Sequence, residues 1–216
     1  LWLWLGAGVI ALLAVFWLLP PQPADEEAPP QLGIETQMGL ELARHTSGIT
    51  QAYARELQSS GLPALFAPDR LAADPDFSQG KEILGRVEQA SATFRRTLRE
   101  FVETGAVTVI EQAGLPDEVR DRLLADYRRN GEPQRKILDQ LLDQERKVLE
   151  TYQQMFAFLE QSKGRWNVKG HQVVFEQRAD AEMMGGYFKR LDDIVGEQRQ
   201  LQQQYQQMLL ESAPAA

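Results

Sequence analysis

Residues 132–162, EPQRKILDQLLDQERKVLETYQQMFAFLEQS, carry the periodicity from which the fold class follows. Leu138, Leu141, Glu145, Val148, Tyr152, Met155 and Leu159 recur at alternating steps of three and four. That spacing keeps one stripe of an α-helix turned toward its neighbours in a left-handed helical bundle. Glu145 is the polar member of the stripe. Two places are open to it: it can pair across the core and set register, or lie at the edge of the seam with its carboxylate in water, and the edge is expected. No Glu-x-x-His spacing accompanies it, so a di-metal bundle is not expected.

Downstream, Lys163-Gly164 ends the helix and the period changes. In RWNVKGHQVVF, residues 165–175, Trp166 and Val168 alternate on one side of Lys169-Gly170, and Val173 and Phe175 on the other. This predicts a small β-hairpin turning at Lys169-Gly170, which needs helices to pack on because an isolated hairpin is marginal. Trp166, His171 and Phe175 form the candidate interaction surface; the competing reading has Trp166 capping one end of a helical core. From about Arg178 to Glu211 a second seam follows, with Met184, Tyr187, Leu191, Ile194, Gln198, Leu201, Tyr205 and Met208 at steps of three and four. Gly185-Gly186 weakens that helix locally, and its glutamine-rich end is read as a solvated face.

Upstream, a helix is predicted from Thr36, as N-cap, to Ser60, burying Met38, Leu42, Ile49, Tyr53 and Leu57. Glu41 and His45 lie four apart on it and are read as a solvated ion pair, because two ligands do not make a metal site. Residues 62–77, with Leu65, Phe66, Leu71 and Phe77 as apolar plugs, are expected to form a packed loop with at most a short helical turn, capping the bundle. A helix over 78–113 buries Ile83, Val87, Phe94, Leu98, Phe101 and Val109. Arg95, Arg96 and Arg99 on it could meet an anion, but the glutamates around them favour ordinary surface ion pairs. A shorter helix over 116–129, burying Val119, Leu123 and Tyr127, is expected to close at Asn130-Gly131. Residues 34–212 thus read as a mainly all-α domain, an elongated antiparallel four- to five-helix bundle with one small β-hairpin, followed by a disordered tail at 213–216.

The N-terminal 19 residues, LWLWLGAGVIALLAVFWLL, carry no charged side chain. As a helix they would be roughly 28 Å long, the hydrocarbon thickness of a bilayer, with Trp2, Trp4 and Trp17 at the interfaces. A retained transmembrane anchor is favoured over a cleaved signal peptide, whose apolar core is shorter, and over a buried core helix. Residues 20–33, PPQPADEEAPPQLG, form a proline-rich linker that holds the domain off the membrane as a semi-rigid spacer. No Lys or Arg appears between this anchor and Arg44. The positive-inside rule therefore predicts a single pass with the C-terminal domain exported. Basic residues that are mostly Arg fit a bacterial chain, so the expected place is the bacterial inner membrane with the C-terminal domain in the periplasm. Ala7, Ala11 and Ala14 share one face of the anchor, where a homo-oligomer could pack.

Formal net charge is −8 and the chain is 43% hydrophobic and 25% charged, which supports a folded body and argues against a nucleic-acid partner. With no cysteine, disulfides, thiolate zinc sites and a cysteine nucleophile are excluded. The chain carries no Gly-rich phosphate loop, HExxH or GxSxG, so neither an enzyme nor a cofactor is expected. Two functions remain. One is a membrane-anchored cell-envelope scaffold that binds another envelope protein through a bundle face or the hairpin; the other is a ligand-sensing helical ectodomain that signals through a partner.

The order of a long helix, Gly164-x-Trp166-x-Val168-x-Gly170-x-x-Val173-x-Phe175 and a final helix with an early Tyr187 resembles an uncharacterised family of small enterobacterial envelope lipoproteins over about the last third of the chain. The resemblance implies an exported helical domain held at a membrane. This chain departs from the family pattern in having no cysteine to acylate and an apolar protein segment instead.

Overall fold

The computed structural model describes residues 33–212. The expected anchor (1–19), most of the linker and the tail at 213–216 lie outside the described residues, as do the side chains of Thr36, Tyr205 and Met208. In chain order the elements are α1 (Ile34–Ser59), a 3₁₀ turn (Leu62–Ala64), α2 (Pro68–Ala73), α3 (Ser78–Glu100), a π-helical turn (Phe101–Gly105), α4 (Ala106–Gln112), α5 (Asp117–Gln161), β1 (Trp166–Lys169), β2 (Gln172–Phe175) and α6 (Arg178–Ser212). The fold is mainly helical, with six α-helices and one small antiparallel hairpin among the described residues.

Periodicity and burial agree along the seam of α5: Leu141, Glu145, Val148, Tyr152, Met155 and Leu159 are all buried, and Leu138 is half-buried. The predicted stripe of α1 also turns inward, with Met38, Tyr53 and Leu57 buried and Leu42 and Ile49 half-buried. α6 packs along α5, and α1 along α3. The main core joins Tyr53 and Leu57 of α1, Val87 and Phe94 of α3, the α5 seam, and Met184, Leu191 and Ile194 of α6. A second, smaller cluster of Met38, Ile110 and Leu124, flanked by Leu42, Val107, Val109, Leu115, Leu123 and Tyr127, ties together the start of α1, α4 and the start of α5.

Five local expectations are corrected. α1 starts at Ile34 with Gly33 in the N-cap position, so Thr36 lies within the helix and does not cap it. Asn130-Gly131 does not close a helix: α5 runs unbroken for 45 residues, through Gly131 and Pro133. A helical Gly costs about 1 kcal/mol and a Pro about 3. Both flanks of the junction are anchored, Leu124 in the small cluster and Leu141, Leu142 and Val148 further along the helix, and each such side chain contributes about 1.5–3 kcal/mol on burial. The helix over 78–113 is not continuous either, because the π turn at 101–105 divides it. The extra residue of a π turn rotates everything beyond it by about 100°. Ala106 and Ile110 are therefore buried where Val109 was expected, and Phe101 and Val109 are half-buried.

The segment 62–77 holds a six-residue helix, α2, rather than at most a turn, started by Pro68 at a first-turn position. Its expected plugs, Leu65, Phe66, Leu71 and Phe77, are all buried. The hairpin also turns one residue later than expected, at Gly170-His171. Trp166 pairs with Phe175 and Lys169 with Gln172, and Gly170 has φ of 59°, the positive first position of a type II′ turn.

Candidate functional site

Trp166, His171 and Phe175 all lie on the hairpin, but not on one surface. Trp166 is half-buried and faces the helices. Its indole Nε1–H donates to the Leu159 carbonyl at 2.9 Å, satisfying one of the orphan acceptors in the last turn of α5. Its ring meets Phe77 edge-on at 6.2 Å. Phe175, its cross-strand partner, lies against Phe158 at 6.0 Å, and Phe158 against Tyr187 at 6.1 Å. His171 points the other way, with 93% of its side chain exposed and Nδ1 4.0 Å from Oδ2 of Asp69 on α2. At the base of the hairpin, Arg165 holds Asp180 of α6 through Nε at 2.8 Å and Nη2 at 3.2 Å. The Arg165 hydrogen bonds and charge keep the Asp180 carboxyl below its ordinary range. The hairpin is thus fixed through its inner face, and its outer face presents Asn167, Lys169, Gln172 and Val174.

Beside it stands a buried polar knot around Asp74, which sequence reasoning did not single out. Asp74 Oδ2 accepts Arg70 Nη1 at 2.7 Å and the Gly80 N–H at 2.9 Å, and Oδ1 accepts the Gln79 N–H at 3.1 Å. These are the free amides at the start of α3, so a carboxylate four residues before that helix acts as its cap. Burial alone would raise the Asp74 carboxyl; the Gly80 and Gln79 amides and Arg70 outweigh it and hold the group below the usual carboxylate range. Arg70 also donates to the Leu65 carbonyl at 2.9 Å from Nε, and its guanidinium lies 5.9 Å over the Phe156 ring. Phe77 carries a left-handed φ of 63°, a conformation a bulky residue holds only when its surroundings over-determine it. Here they do, because its ring is wedged edge-on against both Phe156 and Trp166. The Arg70/Asp74 spacing of four is the signal that was present in the sequence.

The third cluster overturns the expectation for Glu145. Its carboxyl is not at the edge of the seam in water: the residue is fully buried and accepts the Tyr53 hydroxyl through Oε1 at 2.6 Å. Arg95 Nε approaches Oε2 at 3.8 Å from a site about a third exposed. Tyr53 stacks on Phe94 at 4.3 Å, which aims its hydroxyl at α5. Burial, then the charge of Glu145 and the hydrogen bond to it, push the phenol far above its ordinary value, with Ser91 and Arg95 pulling the other way. Tyr53 therefore stays a donor at neutral pH. One residue before Glu145, Gln144 Nε2 donates to Glu197 of α6 at 2.7 Å, and one residue after Glu197 lies the buried Gln198. A polar layer thus crosses α1, α3, α5 and α6 at one level. Within it Glu145 Oε2, Gln144 Oε1 and both amide atoms of Gln198 find no hydrogen-bond partner among the described residues.

The other sequence candidates take ordinary surface positions. His45 Nε2 lies 3.6 Å from Glu41 Oε1, and Arg99 lies 3.9 Å from Asp139. Among the described residues no three His, Asp or Glu side chains gather as metal ligands, and no helix is long and apolar enough to cross a membrane. No family model matches the chain, and neither a curated protein nor a solved structure is similar to it. Its functional reading rests on its own residues.

Proposed function

We propose that this chain is a membrane-anchored scaffold of the bacterial cell envelope. Residues 1–19 hold it in the inner membrane as a single pass, residues 20–33 space it from the bilayer, and an elongated antiparallel bundle on the periplasmic side binds another envelope protein. The observation that carries the reading is the apolar 19-residue segment followed by a proline-rich, acidic spacer and a helical body. The hairpin supports it as the contact point: anchored by Trp166, Phe175 and the Arg165–Asp180 pair, it offers Lys169, His171 and Gln172 on a rigid mount, so that little ordering entropy opposes binding. The test is photo-crosslinking in cells from Lys169 and His171 and from the exposed Lys189 of α6, with captured proteins identified by mass spectrometry. One recurrent envelope partner from the hairpin positions supports the reading; self-crosslinks alone, or none, overturn it.

A second reading, a ligand-sensing ectodomain that signals through a partner, is favoured by the unpartnered buried groups of the polar layer. Small polar compounds would be screened by thermal shift on the whole chain. Saturable stabilisation that is lost in Gln198→Leu supports this reading, and a flat screen removes it.

A further inference from the structure

A chain one residue shorter would bury the residues beyond 101–105 without a π turn. Ala106 and Ile110 lie eight and twelve residues after Leu98, and only the extra residue of the π turn brings them onto the buried face. With one residue removed they would lie seven and eleven after Leu98, on that same face of a plain α-helix. The chain thus keeps a rare and weaker turn where a shorter sequence would keep the same packing.

What surrounds the turn indicates its use. His45 of α1 stacks on Phe101 at 5.6 Å. Next to it α1 carries Gly48 between Thr46 and Thr50, whose hydroxyls donate to the Leu42 and Thr46 carbonyls at 3.0 and 2.8 Å, an arrangement that bends helices. On α5, Tyr127 reaches the Val102 carbonyl with its hydroxyl at 2.7 Å and Asp139 meets Arg99 at 3.9 Å. The stretch midway between those contacts contains Gly131 and Pro133, where the missing proline N–H removes a rung of the helix ladder. Each helix that links the small cluster to the main core is weakened at the level between the two clusters: α1 between Leu42 and Tyr53, the α3–α4 run between Leu98 and Ile110, and α5 between Leu124 and Leu142.

We infer that this level is a joint, with the π turn as its pivot and the Tyr127–Val102 hydrogen bond as its latch, about which the module of Met38, Ile110 and Leu124 swings relative to the main core. The joint rests on the described helices alone and does not depend on the anchoring reading. The joint is tested on the full chain, which has no cysteine of its own, by electron–electron distance measurement between nitroxides at Arg55→Cys and Glu111→Cys, with and without deletion of Glu103. The expected result is a broad or two-peaked distribution in the parent chain that narrows on deletion, with a Tm no lower than the parent's. A parent distribution as narrow as that of the deletion variant overturns the joint. Should the deletion variant fail to fold, Tyr127→Phe provides the test by hydrogen exchange. Exchange faster by roughly tenfold or more at amides 101–106, 46–50 and 129–134 together supports the joint; unchanged exchange, or a change confined to 101–106, overturns it.

Discussion

At the scale of single residues, Glu145 shows how much a carboxyl in an apolar seam depends on what faces it. Its Oε1 accepts the buried Tyr53 hydroxyl and its Oε2 faces Arg95, so truncation removes an acceptor from both as well as opening a cavity. Glu145→Ala is expected to lower unfolding stability by about 2–3 kcal/mol in urea titrations. Glu145→Leu together with Tyr53→Phe should come within about 1 kcal/mol of the parent chain, because an apolar replacement of similar volume removes the polar demand on both sides. A double variant as unstable as Glu145→Ala would mean that the pair contributes net stability. Gly80 is a second such position. A methyl group there would run into the Phe156 ring, which is hemmed in by Phe77 and Arg70 and cannot swing away freely. Gly80→Ala should cost about 2 kcal/mol, and Phe156→Leu in the same chain should recover part of it; additive losses in a double-mutant cycle would rule out the clash.

At the scale of elements, α5 departs most from what its sequence suggests. Asn130-Gly131 is a strong turn dipeptide, yet Gly131 has no positive φ and sits inside the helix. The two accounts differ in sign for one substitution. In a helix, Gly131→Ala stabilises by up to about 1 kcal/mol, since the added methyl would stand 3.6 Å from Arg135 Nη1 in ordinary contact. In a left-handed turn the same change would destabilise. The expected outcome is a rise in Tm of a few degrees by calorimetry; a fall would return a break to α5. In the hairpin, by contrast, local alternation was enough to place both strands, and only the turn moved by one residue. The positive φ of Gly170 explains why: a II′ turn needs its glycine in the first central position, which makes His171 the second.

At the scale of the whole molecule, a buried ionic tie between α2 and α3 makes stability depend on pH. The Asp74 cap fixes the start of α3 to α2, and its folded carboxyl is held below the ordinary range. A carboxyl depressed on folding contributes stability that is complete above its unfolded pKa of about 3.9 and is lost as pH falls through the lower folded value. Acid unfolding is therefore expected to set in below about pH 4. Asp74→Asn should lower stability at pH 7 and flatten that acid dependence, as read from Tm between pH 2.5 and 7. A variant with an unchanged pH slope would remove Asp74 as a principal tie. The mainly helical architecture, with two hydrophobic clusters joined through a weakened level, also separates a small module at the start of α1 from the body that carries the hairpin.

The sequence alone determined whatever depends on a side chain's position relative to its near neighbours. Steps of three and four along 138–159 marked the buried face of α5, alternation marked the hairpin, and proline and glycine marked most element ends. These signals are local because helix and strand geometry repeat over a few residues. Tertiary structure decided what depends on partners distant in the chain. Whether Glu145 stays in water or enters the core turns on Tyr53, 92 residues away. Whether Asn130-Gly131 breaks a helix turns on the burial of Leu124 on one side and Leu141 on the other. Whether the α3 face continues straight or through a π turn turns on which residue the small cluster accepts, Val109 or Ile110. In each case a local preference of one to a few kcal/mol met a packing term of equal or greater size, and the packing term won.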